Sequence, residues 1–406
     1  MFKRSLTPRP VHRVALVAAT ARNLIEMRGP LVRALISRGV TVLCIAPEFT
    51  ASEEATLESM GVERATFNIV PRGPRFAADW QIVRELKEKL AAWKPDAVLA
   101  VSGRVLALAM MAAQRARVAR RIAMINGLPP PEPIEDGHSA HGILPGVVDR
   151  VSAGPRLLAQ GLRAASAVVF HNRDDRRRLT QQKLLPASLP SIIVPGAGVD
   201  LAHFAETPLP ALSKGLVFLM SAALAGWRGV LAYCAGATSL KERAPQARFL
   251  LAGPAGDGPT GLKPEALRPY ADAVTFIGPL VDVRPALADC HVLVYPSHAE
   301  GMPRVVLEAL ATGRPVVTTA TPGCRDTVDD RVNGCLVPAG DTAALGLALA
   351  SFLKRPDLLP AMSRASRVKA ERHFGQATVL SELLGLLEVS DRPAGETARE
   401  PAATAA

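Results

Sequence analysis

Residues 291–319 read HVLVYPSHAEGMPRVVLEALATGRPVVTT. HVLVYPS predicts a buried strand and HAEGM a loop. Pro303 suits the first turn of a helix, and Gly313 suits its C-terminal cap. RPVVTT predicts the next strand. A strand, a helix and a further strand make the repeating unit of a parallel, doubly wound sheet. Two carboxylates stand in this unit. Glu300 lies on the loop leaving the carboxyl end of a strand, where such sheets bind ligands. Glu308 lies one or two turns into the helix, between Val305-Val306-Leu307 and Ala309-Leu310-Ala311. Burying an unpaired charge there is costly, so Glu308 needs a partner. The helix N-terminus near Arg304 to Val306 offers N–H groups to an anion. An ionised carboxylate accepts from two vicinal hydroxyls, as in a ribose or a hexose. The spacing therefore predicts a diphosphate with a carboxylate on each side. The alternative is a surface salt bridge for Glu308.

The same alternation extends in both directions. HRVALVAA, VTVLCIAP, DAVLAVS, RIAMING, ASAVVFHN and SIIVPGAGVD form one series of strands. GLVFLMSA, ARFLLAG, AVTFIG, CHVLVYPS, RPVVTT and GCLVPAG form a second. Helices are predicted near 28–38, over ADWQIVRELKEKLAAW and over RVLALAMMAAQRAR. Two such series predict two similar domains with the ligand in the cleft between them. The segment 127–146, rich in Pro and Gly, predicts a loop over one sheet edge. We divide the chain into a loose leader, 1–10, an N-terminal domain, 11–205, and a C-terminal domain, 206–375. A helix at 376–390 returns toward the N-terminal domain, and 391–406 is expected to be disordered.

The chain has 406 residues and a net charge of +11. Residues 1–200 carry 28 Lys and Arg against 17 Asp and Glu, so the whole excess lies in the first half. A basic half suits an anionic membrane surface or a phosphorylated substrate, or is a solubilising surface. Aromatics make up 4% of the chain, which argues against a nucleic-acid reader built on stacking. The five cysteines are scattered with no CxxC pair, as in a reduced cytoplasmic protein. The run Val14 to Ala19 reads as a strand rather than a signal peptide, and no apolar run is long enough to span a membrane.

The weaker motifs carry little. The glycines of LLAGPAGDGPTG (250–261) do not fit dinucleotide spacing, so it reads as a turn at a strand end. His138 and His141 sit among Pro and Gly rather than on a helix face. RDDRRRL (173–179) reads as a helix start with its acids early, or as a membrane-facing cluster. No DxD, HExxH or Cys/His cluster occurs, so no metal and no other cofactor is expected.

Glu300 and Glu308 match the E-x7-E signature of retaining glycosyltransferases of family 4. VVFHNRDDRRRL, IIVPGAGVDLAHF, YPSHAEGMPRVVLEALATGRPVVTT and TPGCRDTVDDRVNGCLVPAGD resemble successive blocks of that family. The likeness is greatest to its capsule, O-antigen and exopolysaccharide sugar transferases, and covers roughly residues 11–390. The resemblance implies the GT-B fold: α/β, with two facing Rossmann-like, doubly wound parallel-sheet domains. It implies that Glu308 holds ribose hydroxyls and that Glu300 contacts the donor sugar. Backbone of Gly301, Met302, Pro303, Arg304, Val305 and Val306 would meet the sugar and phosphates. Arg228 would neutralise the diphosphate, and Ile277, Gly278 and Leu280 would border the base. Asn126 stands where the family has a sugar-contacting histidine, and Ala223 where it has an arginine.

The activity so implied is transfer of a sugar from a nucleotide sugar, UDP-linked, with retention. The implied partners are that nucleotide sugar, a lipid-linked or soluble saccharide acceptor and an anionic membrane surface, but no nucleic acid. The expected location is the cytoplasmic face of the inner membrane. With no enzymatic nucleophile opposite Glu300, a same-face displacement is implied, in which the leaving phosphate helps remove the acceptor proton. Two rivals remain. One is an impaired relative that binds nucleotide sugar or serves as a partner subunit, which Ala223 and Asn126 favour. The other is a nucleotide-sugar epimerase.

Overall fold

Aliphatic runs covered on both faces become the strands of two parallel sheets. The computed structural model describes residues 11–69, 75–101, 103–128, 154–256 and 261–389. The proposed leader and tail, His138, His141 and most of the loop 127–146 lie outside them. In the first domain β1 (Arg13–Val17), β2 (Thr41–Ala46), β3 (Glu63–Thr66), β4 (Ala97–Val101), β5 (Arg120–Ile125), β6 (Ala167–Phe170) and β7 (Ser191–Ile193) form one sheet. Its order is β3-β2-β1-β4-β5-β6-β7. In the second, β8 (Val217–Ser221), β9 (Arg248–Ala252), β10 (Val274–Gly278), β11 (Val292–Tyr295), β12 (Val316–Thr319) and β13 (Gly334–Val337) run in the order β10-β9-β8-β11-β12-β13. Every pair is parallel, so this is the expected pair of doubly wound sheets.

The strand order reverses between β1 and β4 in one sheet and between β8 and β11 in the other. A crevice opens at such a reversal because the flanking connections leave in opposite directions. The loops 222–229 and 296–303 flank the crevice of the second sheet. The second of them, 296–303, faces the turns after β5 and β6 of the first sheet.

The chain passes between domains twice at one place. Val199 N donates to Phe374 O at 2.8 Å, and Gln376 N donates to Val199 O at 2.9 Å. The Gln376–Leu387 helix then buries Val379, Leu383, Leu384 and Leu387 in the core of the first domain, beside the Gly29–Ile36 helix.

Three local features differ from the sequence reading. Pro303 is the N-cap, with extended backbone, and the helix begins at Arg304. Val306 N donates to Pro303 O at 3.1 Å, so its N–H is already engaged rather than free for an anion. The strand β3 was not anticipated, because Glu63-Arg64-Ala65-Thr66 is polar and largely exposed at the sheet edge. Other local signals behave as read. Gly313 follows the Arg304–Ala311 helix with φ +79°. Asn172 caps the Arg173–Gln181 helix by accepting from Asp175 N at 2.8 Å. The strand β9 ends at Ala252, at the start of the Gly-rich stretch.

Candidate active site

Glu300 stands at the reversal point of the second sheet. Its Oε1 accepts from Arg228 Nη1 at 2.7 Å, from the Tyr295 hydroxyl at 2.7 Å and from Ser297 Oγ at 3.2 Å. The topology explains the meeting. Arg228 ends the short turn after β8, Tyr295 ends β11, and Ser297 and Glu300 lie on the loop after β11. Arg228 Nη1 also donates to the Tyr295 hydroxyl, and its guanidinium lies 4.2 Å over the Trp227 ring. Arg228 Nε is buried and has no hydrogen-bond partner. Burial, and then the neighbouring Glu300 carboxylate, push the Tyr295 hydroxyl well above its ordinary range, so it stays a donor.

Glu308 is 6% exposed, so the salt-bridge alternative is met only in part, by a pair whose carboxylate end is buried and whose cation end is exposed. Its Oε1 accepts from Arg304 Nε at 2.6 Å, one helical turn earlier. Burial raises its pKa above the usual carboxylate value, and the Arg304 charge pulls the other way. Arg304 Nη1 reaches Glu26 O of the first domain at 3.2 Å. The partner that burial demanded of Glu308 is thus Arg304, itself tied across the cleft.

The opposing wall is built by β5 and β6. Asn126 and Gly127 follow β5 and lie against Gly301. A Cβ on Gly301 would stand 1.8 Å from Asn126 O, and a Cβ on Gly127 would stand 2.7 Å from Gly301 N. Backbone touches backbone at this point. Asn172 Nδ2 donates to Gly301 O at 3.0 Å and to Asp175 Oδ2 at 2.8 Å. Burial lifts the Asp175 pKa to about 6, against the opposing pull of Asn172 and the Leu128 N–H. Met302 packs on Gly196, whose Cβ position is 3.1 Å from the Met302 Cβ. Arg325 Nε pairs with Asp174 Oδ2 at 3.4 Å across the same seam.

Glu300, Gly301, Met302, Arg228 and Asn126 are therefore brought together. Pro303, Arg304, Val305, Val306 and Glu308 continue from them along one loop and helix. Ile277, Gly278 and Leu280 lie apart, at the end of the edge strand β10, where Ile277 is exposed and Leu280 packs on the core. Ala223 is on the loop after β8 and brings no charge. Among the described residues no group of three His, Cys, Asp or Glu could hold a metal ion.

Two family models divide the chain as the sheets do. The model described as Glycosyltransferase Family 4 matches residues 31–201, and that described as Glycosyl transferases group 1 matches residues 215–355. The chain belongs to the family-4 glycosyltransferases. Among the relatives it resembles is a putative colanic acid biosynthesis glycosyltransferase of Escherichia coli, 32% identical over 48% of this chain and 51% of the relative. The chain thus spans about half the length of the first curated relative it matches. An N,N'-diacetylbacillosaminyl-diphospho-undecaprenol alpha-1,3-N-acetylgalactosaminyltransferase of Campylobacter jejuni is 22% identical over 79% of this chain and 84% of the relative. The solved structure of Anabaena HepE in complex with UDP is 17% identical, with a TM-score of 0.71 over 93% of this chain and 99% of that one. At that identity the likeness shows the fold alone.

Sequence reading missed Tyr295, Ser297, Asn172, Arg28 and the glycine contact at Gly127. Tyr295 and Ser297 were hidden in HVLVYPS, a stretch read whole as a strand. Asn172 announces itself only as a helix cap. Arg28 has no local signal, because what makes it unusual is what surrounds it in space.

Proposed function

We propose that this family-4 chain is a retaining transferase. It moves a sugar from a UDP-linked donor to a saccharide carried on a lipid diphosphate, in the synthesis of a cell-surface polysaccharide. The observation that carries the reading is the meeting of Arg228, Glu300 and the Arg304–Ala311 helix at the reversal point of the second sheet, facing Asn126. In this reading Arg228 neutralises the leaving diphosphate, Glu300 orients a donor-sugar hydroxyl, and Glu308 accepts from the ribose. Backbone from Gly301 to Val305 positions sugar and phosphates, and Ile277, Gly278 and Leu280 border the base. Asn126 contacts the donor sugar from the opposing domain by donating and accepting hydrogen bonds. No metal is required, because a guanidinium and a helix N-terminus already oppose the phosphate charge. Relatives named for colanic acid and for a diphospho-undecaprenol acceptor support the acceptor class.

The test is turnover of a panel of nucleotide sugars with polyprenyl-diphosphate saccharides, with and without EDTA, and with the product anomer read by NMR. A new glycosidic bond of retained configuration, formed in EDTA, is the expected result. Release of a different free nucleotide sugar would instead make the chain an epimerase. Donor binding without turnover would make it a binding subunit.

Glu308→Gln keeps the shape and removes the charge. It should weaken UDP binding by about 1–3 kcal/mol, the worth of a hydrogen bond to a charged group. Calorimetry on the folded variant decides, and unchanged affinity removes the ribose role.

For the membrane, the structure narrows the basic surface. Arg121 donates to Ala164 O at 2.6 Å and to two further carbonyls, and Arg120 pairs with Glu388 of the last helix. Both serve the fold. Arg115 and Arg117 remain exposed, and Arg115 lies 4.7 Å over the half-exposed Trp80 ring. Arg84 and Lys87 line the same surface cavity together with Glu85 and Glu88, and the exposed Arg84 pairs with Glu88 at 2.9 Å. Each cation near an anionic leaflet contributes about 1 kcal/mol, and an interfacial Trp adds apolar contact. In flotation assays the protein should bind anionic vesicles and lose that binding in high salt. The Trp80→Ser, Arg84→Ser, Arg115→Ser triple variant should bind far less. Equal flotation with neutral vesicles would leave these residues without a membrane role.

A further inference from the structure

Among the described residues two arginines are almost completely buried, and they differ in kind. Arg314 is 0% exposed, and its guanidinium donates to the carbonyls of Leu287, Thr207, Pro208 and Ala288 and to the Thr207 hydroxyl. It stitches loops together and leaves no nitrogen idle. Arg28 is 1% exposed. Its Nη2 donates to Asn126 Oδ1 at 2.8 Å and lies 3.4 Å from His171 Nε2. Its Nε is buried with no partner.

Both of Arg28's partners are neutral. Burial, and then the Arg28 charge itself, drive the His171 pKa well below its ordinary value, so His171 stays neutral and can only accept from Arg28. Burial alone pulls the Arg28 pKa down to about 10, with no carboxylate acting against it. A guanidinium at that pKa is still charged at neutral pH. A buried charge without a counter-ion is among the most expensive arrangements a fold holds. Nothing in the local packing repays it, because a methionine of similar length would fill the space without charge.

Its place gives the reason. Asn126 follows β5 and His171 follows β6, so Arg28 lies over the carboxyl ends of two neighbouring strands. That edge meets the second domain. Asn126 O abuts Gly301, and Asn172, next to His171, donates to Gly301 O. Arg228 lies across this seam, held through Glu300, also with a buried, unpartnered Nε. Each domain thus presents one underused guanidinium to the same junction. The second domain lacks another at Ala223.

We propose that Arg28 is an anion-binding residue of the interdomain cleft, taking a phosphoryl oxygen that enters before the seam closes. The fork of a guanidinium fits two phosphoryl oxygens, with Nε and one Nη as paired donors. The phosphoryl group belongs either to the diphosphate of the sugar donor, whose loop lacks a cation at Ala223, or to the diphosphate that carries the acceptor. The anion site itself needs only the geometry above. The choice between those two sources rests on the transferase reading.

The experiment compares wild type with Arg28→Met at constant ionic strength. Without ligand, the variant should melt at the same temperature as wild type or higher, since an uncompensated buried charge is gone. Calorimetry with inorganic pyrophosphate should show affinity at least about tenfold weaker than wild type, as for loss of one charge-assisted contact. UDP and farnesyl diphosphate then separate the sources. A matching loss for UDP alone assigns the donor, and a loss for farnesyl diphosphate alone assigns the acceptor. Equal pyrophosphate affinity in the two proteins, or none in wild type, overturns the proposal. If Arg28→Met does not fold, hydrogen exchange on wild type takes its place. Pyrophosphate should slow exchange across residues 23–36, and no change there overturns the proposal. Pyrophosphate binding through Arg28 in a protein that transfers no sugar keeps this site and removes the transferase reading, so the two fail separately.

Discussion

Arg228→Ala is expected to lower kcat by about 10²–10³-fold, the loss seen when one preorganised donor to a developing charge is removed. The fold should survive the change. Glu300 keeps the Tyr295 and Ser297 hydroxyls as donors, so its carboxylate is not left bare. The effect should fall on the chemical step, because charge on the leaving diphosphate grows toward the transition state. Ala223 sharpens the expectation, since the loop that carries Arg228 holds no second cation to share the load. Two arginines of the second domain nearby are committed elsewhere, Arg304 to Glu308 and Glu26 O, and Arg325 to Asp174. Single-turnover kinetics on the folded variant separates binding from chemistry. A rate within about threefold of wild type would show that Arg228 merely holds Glu300 in place. Arg228→Lys should recover part of the rate, because a lysine restores the charge but not the fork.

The parts of the site that could be read from sequence lie in one contiguous unit. Glu300, the loop after it and Glu308 belong to a single strand, turn and helix, and periodicity places each of them. The sheets were legible for the same reason, since strands buried on both faces leave unbroken aliphatic runs such as Val14–Val17. What sequence did not show depends on contacts between distant segments. Arg28 meets His171 across 143 residues, and Asn172 meets Gly301 across 129. No window of a chain reports such a pair. Charge misled for a related reason. Arg120 and Arg121 look like part of a basic surface, yet one is paired with the last helix and the other bonds three backbone carbonyls. The polar strand β3 escaped because an edge strand needs no apolar alternation to be paired on one side.

Gly301→Ala should lower kcat at least about 10²-fold, and UDP affinity should stay within about threefold of wild type if Arg28 serves the acceptor's diphosphate rather than the donor's. The reason is geometric. Gly301 does not have positive φ, so an alanine is not strained by its own backbone. The added Cβ would instead stand 1.8 Å from Asn126 O and 2.3 Å from Asn126 C, far inside contact distance. Both atoms are backbone at the end of β5, anchored in the first sheet, and cannot step aside as a side chain would. The seam must open. Opening it breaks the Asn172 to Gly301 bond and draws Asn126 and Arg28 away from the loop that holds Glu300. A displacement of about 1 Å between reacting groups is enough for a loss of this size. The second-domain residues assigned to the nucleotide keep their places, so UDP binding should persist unless the first domain's Arg28 takes the donor diphosphate. Small-angle scattering should show a larger radius of gyration for the variant. Wild-type turnover from a folded Gly301→Ala protein would mean that the contact between Gly301 and Asn126 is dispensable, and that the chemistry runs with the domains apart.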